Sequence, residues 1–178
     1  HPVLASQAIA KDFLAVTRYL KSQSFPTPEC VLTKSGDVLV KDGKFRWRMQ
    51  TKISGKTVHT IEDSAMAREA GEIYARFHKA LDPFEYKFKS NKILHETEKE
   101  YDRFLKVLPL GKEELEGVAP EVDFIKRELP KYFLPSNLPH RVIHGDPKIS
   151  NILFDRNNKA KAIIDLDTCN RRPLLAEL

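Results

Sequence analysis

An α+β fold is predicted for this chain of 178 residues by three features of its sequence. Two long segments repeat apolar residues at steps of three and four, a central stretch alternates apolar with polar residues, and the tail holds two short apolar strands around a polar turn. Hydrophobic residues make up 41% and charged residues 31%, which suits a globular chain and excludes disordered, collagenous and low-complexity classes.

Taken in order, the first element is a helix from about Ser6 to Leu20, because Ile9, Phe13, Val16 and Leu20 share one face; Pro26 bars its continuation. Cys30 to Thr33 and Val38 to Lys41 are short strand candidates parted by turns at Ser35-Gly36 and Asp42-Gly43, so an antiparallel meander is expected. In the next stretch Phe45, Trp47, Met49, Thr51 and Ile53 point one way and Arg46, Arg48, Gln50, Lys52 and Ser54 the other. The apolar set is expected to face the core and the basic set to form a solvated sheet face. Thr60 and Asp63 resemble a capping box, after which Met66, Ala70, Ile73, Phe77 and Leu81 recur at helical spacing until Asp82-Pro83. His78, beside Phe77 on that helix, reads as a packing or capping residue. Further helices are expected around Tyr101 to Leu108 and Val122 to Leu129, closed by Pro109 and Pro130. From Arg141 the pattern is a short strand ending at His144, a polar loop, a strand Ile152 to Phe154, a turn at Arg156-Asn157-Asn158 and a returning strand Ala160 to Ile164. The change from strand-rich to helix-rich sequence near Ser54 to Thr60 is the expected internal boundary.

Lys and Arg number 30 against 25 Asp and Glu, a formal charge of +5. Six basic residues and one acid between Lys41 and Lys56 carry a charge equal to that excess, yet the interleaved aromatics lie on the opposite strand face, which argues against a stacking surface for nucleic acid. Apolar runs such as Ala162-Ile163-Ile164 fall far short of the roughly 20 residues a bilayer requires, so no membrane span is expected. Cys30 and Cys169 lack a CxxC spacing and support neither a disulfide framework nor a zinc site; they read as small packed residues in a reducing, cytoplasmic setting. The start at His1-Pro2 has none of the regions of a secretion signal and reads as a cut.

Chemistry concentrates in HGDPKISN, from His144 to Asn151, and in Asp165-Leu166-Asp167 at the end of the hairpin that follows. A hairpin centred on Asn158 sets Asn151 opposite Asp165. A carboxamide oxygen beside a carboxylate, with Asp146 on the adjoining loop, makes an oxygen-rich pocket suited to Mg²⁺, which takes few protein ligands. The five-residue step from Asp146 to Asn151 and the later aspartate follow the kinase template, in which one Asp accepts the proton of the attacking hydroxyl while an Asn and a second Asp hold the metal. Lys148, two residues after Asp146, is placed to lie along a transferring phosphoryl group and offset its charge. No GxSxG elbow occurs, and phosphoryl transfer requires no covalent nucleophile. A phosphatase with an aspartate nucleophile would want Thr or Val four residues after the first Asp of the DxD, where Cys169 stands. His144 reads as a buttress of the loop backbone and not as a catalytic group.

The strings VIHGDPKISNILFD and AIIDLDT resemble the aminoglycoside-phosphotransferase-like small-molecule kinases, which share the protein-kinase-like fold, and more narrowly the N-acetylhexosamine 1-kinase branch. The narrower likeness rests on IDLDT, Lys148-Ile149-Ser150-Asn151, Leu94-His95-Glu96-Thr97, and Arg46-Trp47-Arg48 leading to Ser54-Gly55-Lys56-Thr57; it implies a place on the substrate side for His95, which by itself reads equally as a plain surface histidine. The resemblance implies a two-lobed fold, with residues 1–57 a partial N-lobe of helix and antiparallel sheet up to the hinge, and residues 58–178 a partial helical C-lobe carrying the catalytic loop. It implies an ATP- and Mg²⁺-dependent phosphotransferase acting on a hydroxyl of a small molecule, a sugar or amino sugar first, an aminoglycoside or amino alcohol second. Carried over by position, Asp146 is the base, Lys148 its charge-neutralising companion, Asn151 and Asp165 metal ligands, and Asp167 a second-metal or supporting carboxylate. Backbone groups around Thr51, Ile53 and Ser54 form the hinge that contacts adenine. The expected partners are a nucleotide and a small-molecule substrate, with neither nucleic acid nor membrane. No glycine precedes Gly36, so the phosphate-covering loop and strand lysine of such enzymes have no counterpart here, and the further helices that follow the DxD in them are missing as well. The resemblance therefore implies a fragment that does not turn over by itself, and leaves a non-catalytic kinase-like binding module as the alternative.

Overall fold

The computed structural model describes residues 6–90, 96–111 and 115–177; His1, Pro2, Leu94 and His95 lie outside them. Helix α1 (Gln7–Ser22) is capped by Ser6, whose Oγ accepts from the Ile9 amide at 3.2 Å, and Ile9, Phe13, Val16 and Leu20 are buried along one face as their spacing predicts. Helix α2 (Ser64–Leu81) buries Met66, Ile73, Phe77 and Leu81. Its cap is Asp63 alone, with Oδ1 accepting from the Met66 amide at 2.7 Å; the expected reciprocal partner, Thr60, lies exposed ahead of the cap.

The sheet departs from expectation. Strands β1 (Cys30–Val31), β2 (Val40–Asp42), β3 (Phe45–Trp47) and β4 (Met49–Gln50) form two separate antiparallel pairs, β2 with β3 and β1 with β4. The anticipated continuous strand from Phe45 to Ile53 breaks at Arg48 and ends at Gln50. Nor does either face go to the core: Phe45, Trp47 and Met49 are 56%, 60% and 67% exposed, Arg46, Gln50 and Lys52 are exposed as well, and only the Arg48 side chain turns inward, over the Phe13 ring. Alternation announces two faces but does not say that either is covered; what holds Arg48 inward is an ion pair to the distant Asp167.

Helices α3 (Thr97–Val107) and α4 (Ala119–Glu128) run into short 3₁₀ turns at Leu108–Leu110 and Leu129–Tyr132. Pro109 and Pro130 sit at the start of those turns, where a missing N–H is cheap, so they tighten the exits of the helices. Strands β5 (His140–Ile143) and β8 (Asn170–Pro173) pair antiparallel, as do β6 (Ile152–Phe154) and β7 (Ala160–Ile163). The β8 strand was not foreseen, because Asn170-Arg171-Arg172-Pro173 carries no apolar alternation.

Packing divides the chain into two units, Ile93–Leu138 and the remainder, His1–Lys92 with Pro139–Leu178. Within the smaller, Tyr101 of α3 donates to the Lys126 carbonyl of α4 at 3.1 Å and meets the Phe133 ring edge-on. The larger holds the core: Phe13, Val16 and Leu20 of α1 and Met66, Ile73, Phe77 and Leu81 of α2 close on Val142, Ile152, Phe154, Ile163, Leu166 and Cys169. Each such side chain contributes about 1.5–3 kcal/mol on burial, so this cluster anchors the loops that leave β5 and β7. Among the described residues no helix is long and apolar enough to cross a membrane.

Candidate active site

The loop from His144 to Asn151 leaves β5 and is fixed from several sides. His144, fully buried, has its Nε2 2.9 Å from the Ile164 carbonyl, while its Nδ1 accepts from the Asp146 amide at 3.3 Å. Those two partners set the tautomer with the proton on Nε2. Burial is the main influence on this ring and holds its pKa below the ordinary value of 6.5. The rings of Tyr74 and Phe77 of α2 lie 5.8 and 5.9 Å from it, so the reading of His144 as a buttress holds. Gly145 adopts φ +80°, and a Cβ there would stand 2.6 Å from the Thr168 carbonyl oxygen, which excludes any other residue. Its amide donates to Glu177 Oε2 at 3.1 Å, and His78 Nε2 lies 3.3 Å from the other oxygen of that buried carboxylate. His78, expected to pack or cap, thus braces the loop through Glu177, a residue that no sequence signal marked.

Asp146 and Lys148 form an ion pair in the loop, and Asn151, only 4% exposed, turns its Nδ2 to the Asp146 carbonyl at 2.9 Å and to Asp146 Oδ2 at 3.3 Å. Burial works against the charge on Asp146, but the Lys148 ammonium and then the Asn151 amide outweigh it and hold the carboxyl below its usual range. The hydrogen bond to Asp146 raises the Lys148 pKa in turn, with the charge of Asp165 adding to it. Asp146, Lys148 and Asn151 are therefore in direct contact, and Asp165 directly follows Ile164, whose amide is bonded to the Asn151 carbonyl.

The register of the β6–β7 hairpin differs from the predicted one. Ile152 faces Ile163 and Leu153 faces Ala162, but Phe154 faces Ala160, so Lys161 bulges from the ladder. The turn is wound by Asp155, whose Oδ1 accepts the amides of Asn157 and Lys159. As a result Asn151 pairs with Ile164, whose amide donates to the Asn151 carbonyl at 2.9 Å, and Asp165 falls one residue beyond. It lies there with φ +63°, a left-handed conformation costing a residue with a Cβ roughly 1–3 kcal/mol, in place of the extended pairing expected.

Among the described residues nothing donates a hydrogen bond to Asn151 Oδ1 or to the Asp165 carboxylate, so both offer hard oxygen donors of the kind Mg²⁺ takes. Among the described residues no three His, Cys, Asp or Glu side chains converge on one point. Asp167 does not join the set. Its two oxygens receive Arg48 Nη1 at 2.6 Å and Nη2 at 2.7 Å, so the carboxylate expected to hold a second metal or to support the site is bonded to a guanidinium. Of the three hinge residues, Thr51 spends its amide on the Glu29 carbonyl at 2.9 Å, and the Ser54 carbonyl accepts from Lys161 Nζ at 2.9 Å. Ile53 alone of the three keeps both backbone groups unbonded among the described residues. Just beyond, Lys56 and Phe154 exchange backbone hydrogen bonds of 2.9 and 2.8 Å, and a Cβ on Gly55 would press on the Phe154 carbonyl, so this segment lies tight against the β6–β7 hairpin.

Comparison with solved structures finds the same architecture. The amicoumacin kinase hAmiN, in complex with AMP-PNP, Ca²⁺ and Ami, is 16% identical with a TM-score of 0.60, over 96% of this chain and 51% of its own. An aminoglycoside phosphotransferase from Alicyclobacillus acidocaldarius subsp. acidocaldarius DSM 446 is 20% identical with a TM-score of 0.57, over 94% of this chain and 55% of its own. ADP-bound aminoglycoside phosphotransferase APH(2'')-Ib is 19% identical with a TM-score of 0.56, over 92% and 56%. The chain thus spans about half the length of the structures it matches, and their helix-plus-antiparallel-strand, kinase-like fold is its own. At the level of sequence, residues 1–178 match the phosphotransferase enzyme family, APH, from end to end. The chain belongs to that family.

Proposed function

We propose that the chain carries the phosphoryl-transfer centre of an ATP- and Mg²⁺-dependent kinase acting on a hydroxyl of a small molecule. The observation that carries this reading is the hydrogen-bonded grouping of Asp146, Lys148 and Asn151, with Asp165 next in the chain after Ile164, whose amide bonds to the Asn151 carbonyl. In the proposed step the acceptor hydroxyl oxygen bonds to the γ-phosphorus of ATP, the bond from that phosphorus to the oxygen bridging to ADP breaks, and the hydroxyl proton passes to the Asp146 carboxylate. A carboxyl held below its usual range is ionised at neutral pH and free to take that proton. Lys148 offers its ammonium to the transferring phosphoryl oxygens, where positioned charge supplies most of the rate. Asn151 Oδ1 and the Asp165 carboxylate would hold the metal, which when bound neutralises phosphate charge.

Residues 1–57 supply the nucleotide side, with adenine read by the backbone at Ile53 between Thr51 and Ser54, and residues 58–178 supply the catalytic side. The likeness to N-acetylhexosamine 1-kinases favours a sugar or amino sugar as acceptor. The second reading, an aminoglycoside or amino alcohol, draws on the antibiotic and aminoglycoside kinases among the similar structures. Two free cysteines, Cys30 and Cys169, suit a reducing cytoplasm.

A nucleotide-consumption screen of the full-length protein against sugars, amino sugars, amino alcohols and aminoglycosides tests the reading. Asp146→Asn should lower kcat about 10²- to 10⁴-fold and leave nucleotide affinity unchanged. A fully active Asp146→Asn protein would remove Asp146 as the base, and the lack of any metal-dependent nucleotide binding would leave a non-catalytic module instead.

A further inference from the structure

Arg48 stands at the break between β3 and β4, at a position whose alternation predicts a solvated cation. Besides the two bonds to Asp167, its guanidinium lies 3.9 Å from the centroid of the Phe13 ring on α1. With the Gln50 carboxamide oriented oxygen inward, that oxygen accepts from Arg48 Nη2 at 2.8 Å and Nε at 3.1 Å. The Arg48 and Asp167 side chains are only 14% and 16% exposed. An open ion pair of this kind would mean little, but a forked, stacked and largely desolvated one fixes geometry that a lysine cannot reproduce.

What it fixes is the turn that begins at Asp165. That residue bears a left-handed φ, and the three residues after it each hold the turn from a different side. Leu166 is buried in the core, Thr168 Oγ1 donates to the His144 carbonyl at 2.8 Å, and Asp167 is gripped by Arg48. Two of these anchors lead to the core and the catalytic loop; the third leads to the segment that runs through β4 and on to Ile53.

We propose that Arg48 is a positioning residue: through Asp167 it locks the left-handed turn, aims the Asp165 carboxylate beside Asn151, and ties that aim to the strand entering the nucleotide side. This role rests on the metal-holding assignment of Asn151 and Asp165. Groups that orient the ligands of a metal are commonly worth 10- to 100-fold in its affinity. Losing the fork therefore weakens metal binding without removing any metal ligand.

The test is Mn²⁺ binding to the whole chain, read by the electron paramagnetic resonance of the free ion with a non-hydrolysable ATP analogue present, alongside urea unfolding. Arg48→Lys should weaken Mn²⁺ about tenfold or more, Asp167→Asn should do the same, and the double variant should lose no more than either alone, as expected for a coupled pair. Arg48→Lys and Asp167→Asn both keep the bulk at their sites, so the test survives even where Arg48→Ala fails to fold. A lowered urea midpoint with parental Mn²⁺ affinity in Arg48→Lys would reduce the pair to a structural brace and overturn the proposal alone. Failure of the parent chain to bind Mn²⁺, or undiminished binding in Asp165→Ala, would overturn the metal assignment itself and the role of Arg48 with it.

Discussion

At the scale of single residues the site is built from short-range contacts, and these are what a sequence reading catches best. Asn151 reaches Asp146 across five positions and Lys148 across two, so the loop string alone brings them together. His144 is different, because it serves by staying neutral. Its pKa is lowered by burial, so protons bind the unfolded chain first as pH falls. Its contribution to stability is whole above about pH 6.5 and drains away as pH drops from there toward the folded pKa. Thermal unfolding of the parent chain should hold a steady midpoint between about pH 7 and 8 and a falling one from about 6.5 to 5. In His144→Gln the midpoint should start lower, by a cost of about 1–3 kcal/mol for the disturbed buried bonds, and lose that slope. An equal slope in the variant would assign the titration to another group.

At the scale of elements, legibility followed whether the pattern and the burial had one cause. The faces of α1 and α2 were readable because helical spacing and core packing select the same residues, Phe13 and Phe77 among them. Long-range polar contacts left no such trace: Arg48 finds Asp167 119 positions away, and β8 exists only because β5 offers it an edge. The turn from Asp155 to Lys159 and the bulge at Lys161 together leave Asp165 one residue past the partner of Asn151, a detail no hydrophobic pattern carries. Asp12 on α1 belongs with these. It is 1% exposed, and its carboxylate takes the amides of Lys89 and Ser90 at 2.8 and 2.9 Å, the Ser90 hydroxyl, and the Tyr86 hydroxyl at 3.0 Å. Burial and then that last bond push the Tyr86 pKa to about 12. So α1, which carries Phe13 beneath Arg48, is clamped to the segment beyond α2. Asp12→Ala strands those buried donors and should cost about 3 kcal/mol in urea unfolding, with hydrogen exchange accelerated at the Lys89 and Ser90 amides. Unchanged protection there would show that the segment is held by its apolar contacts.

At the scale of the whole molecule, the uncovered β2–β3 and β1–β4 pairs leave Val40, Phe45, Trp47 and Met49 on the surface, a break with hydrophobic-in, polar-out patterning. Paired antiparallel neighbours place Val40 across from Trp47, and the Phe45 and Trp47 rings lie 6.3 Å apart, so the exposed groups are contiguous. Contiguous apolar patches on a soluble surface favour association. Trp47 is the only tryptophan, so its fluorescence reports on this face without interference. Its emission should be that of a water-exposed indole and be quenched readily by acrylamide. Because the ring makes no part of the core, Trp47→Ser should change the unfolding free energy by no more than about 0.5 kcal/mol. The same change should cut binding of the dye ANS and shift sedimentation toward the monomer at high concentration. A blue-shifted, poorly quenched Trp47 whose removal costs several kcal/mol would mean that the aromatic face is the covered one; Arg48 would then point to solvent, and its pairing with Asp167 would be lost.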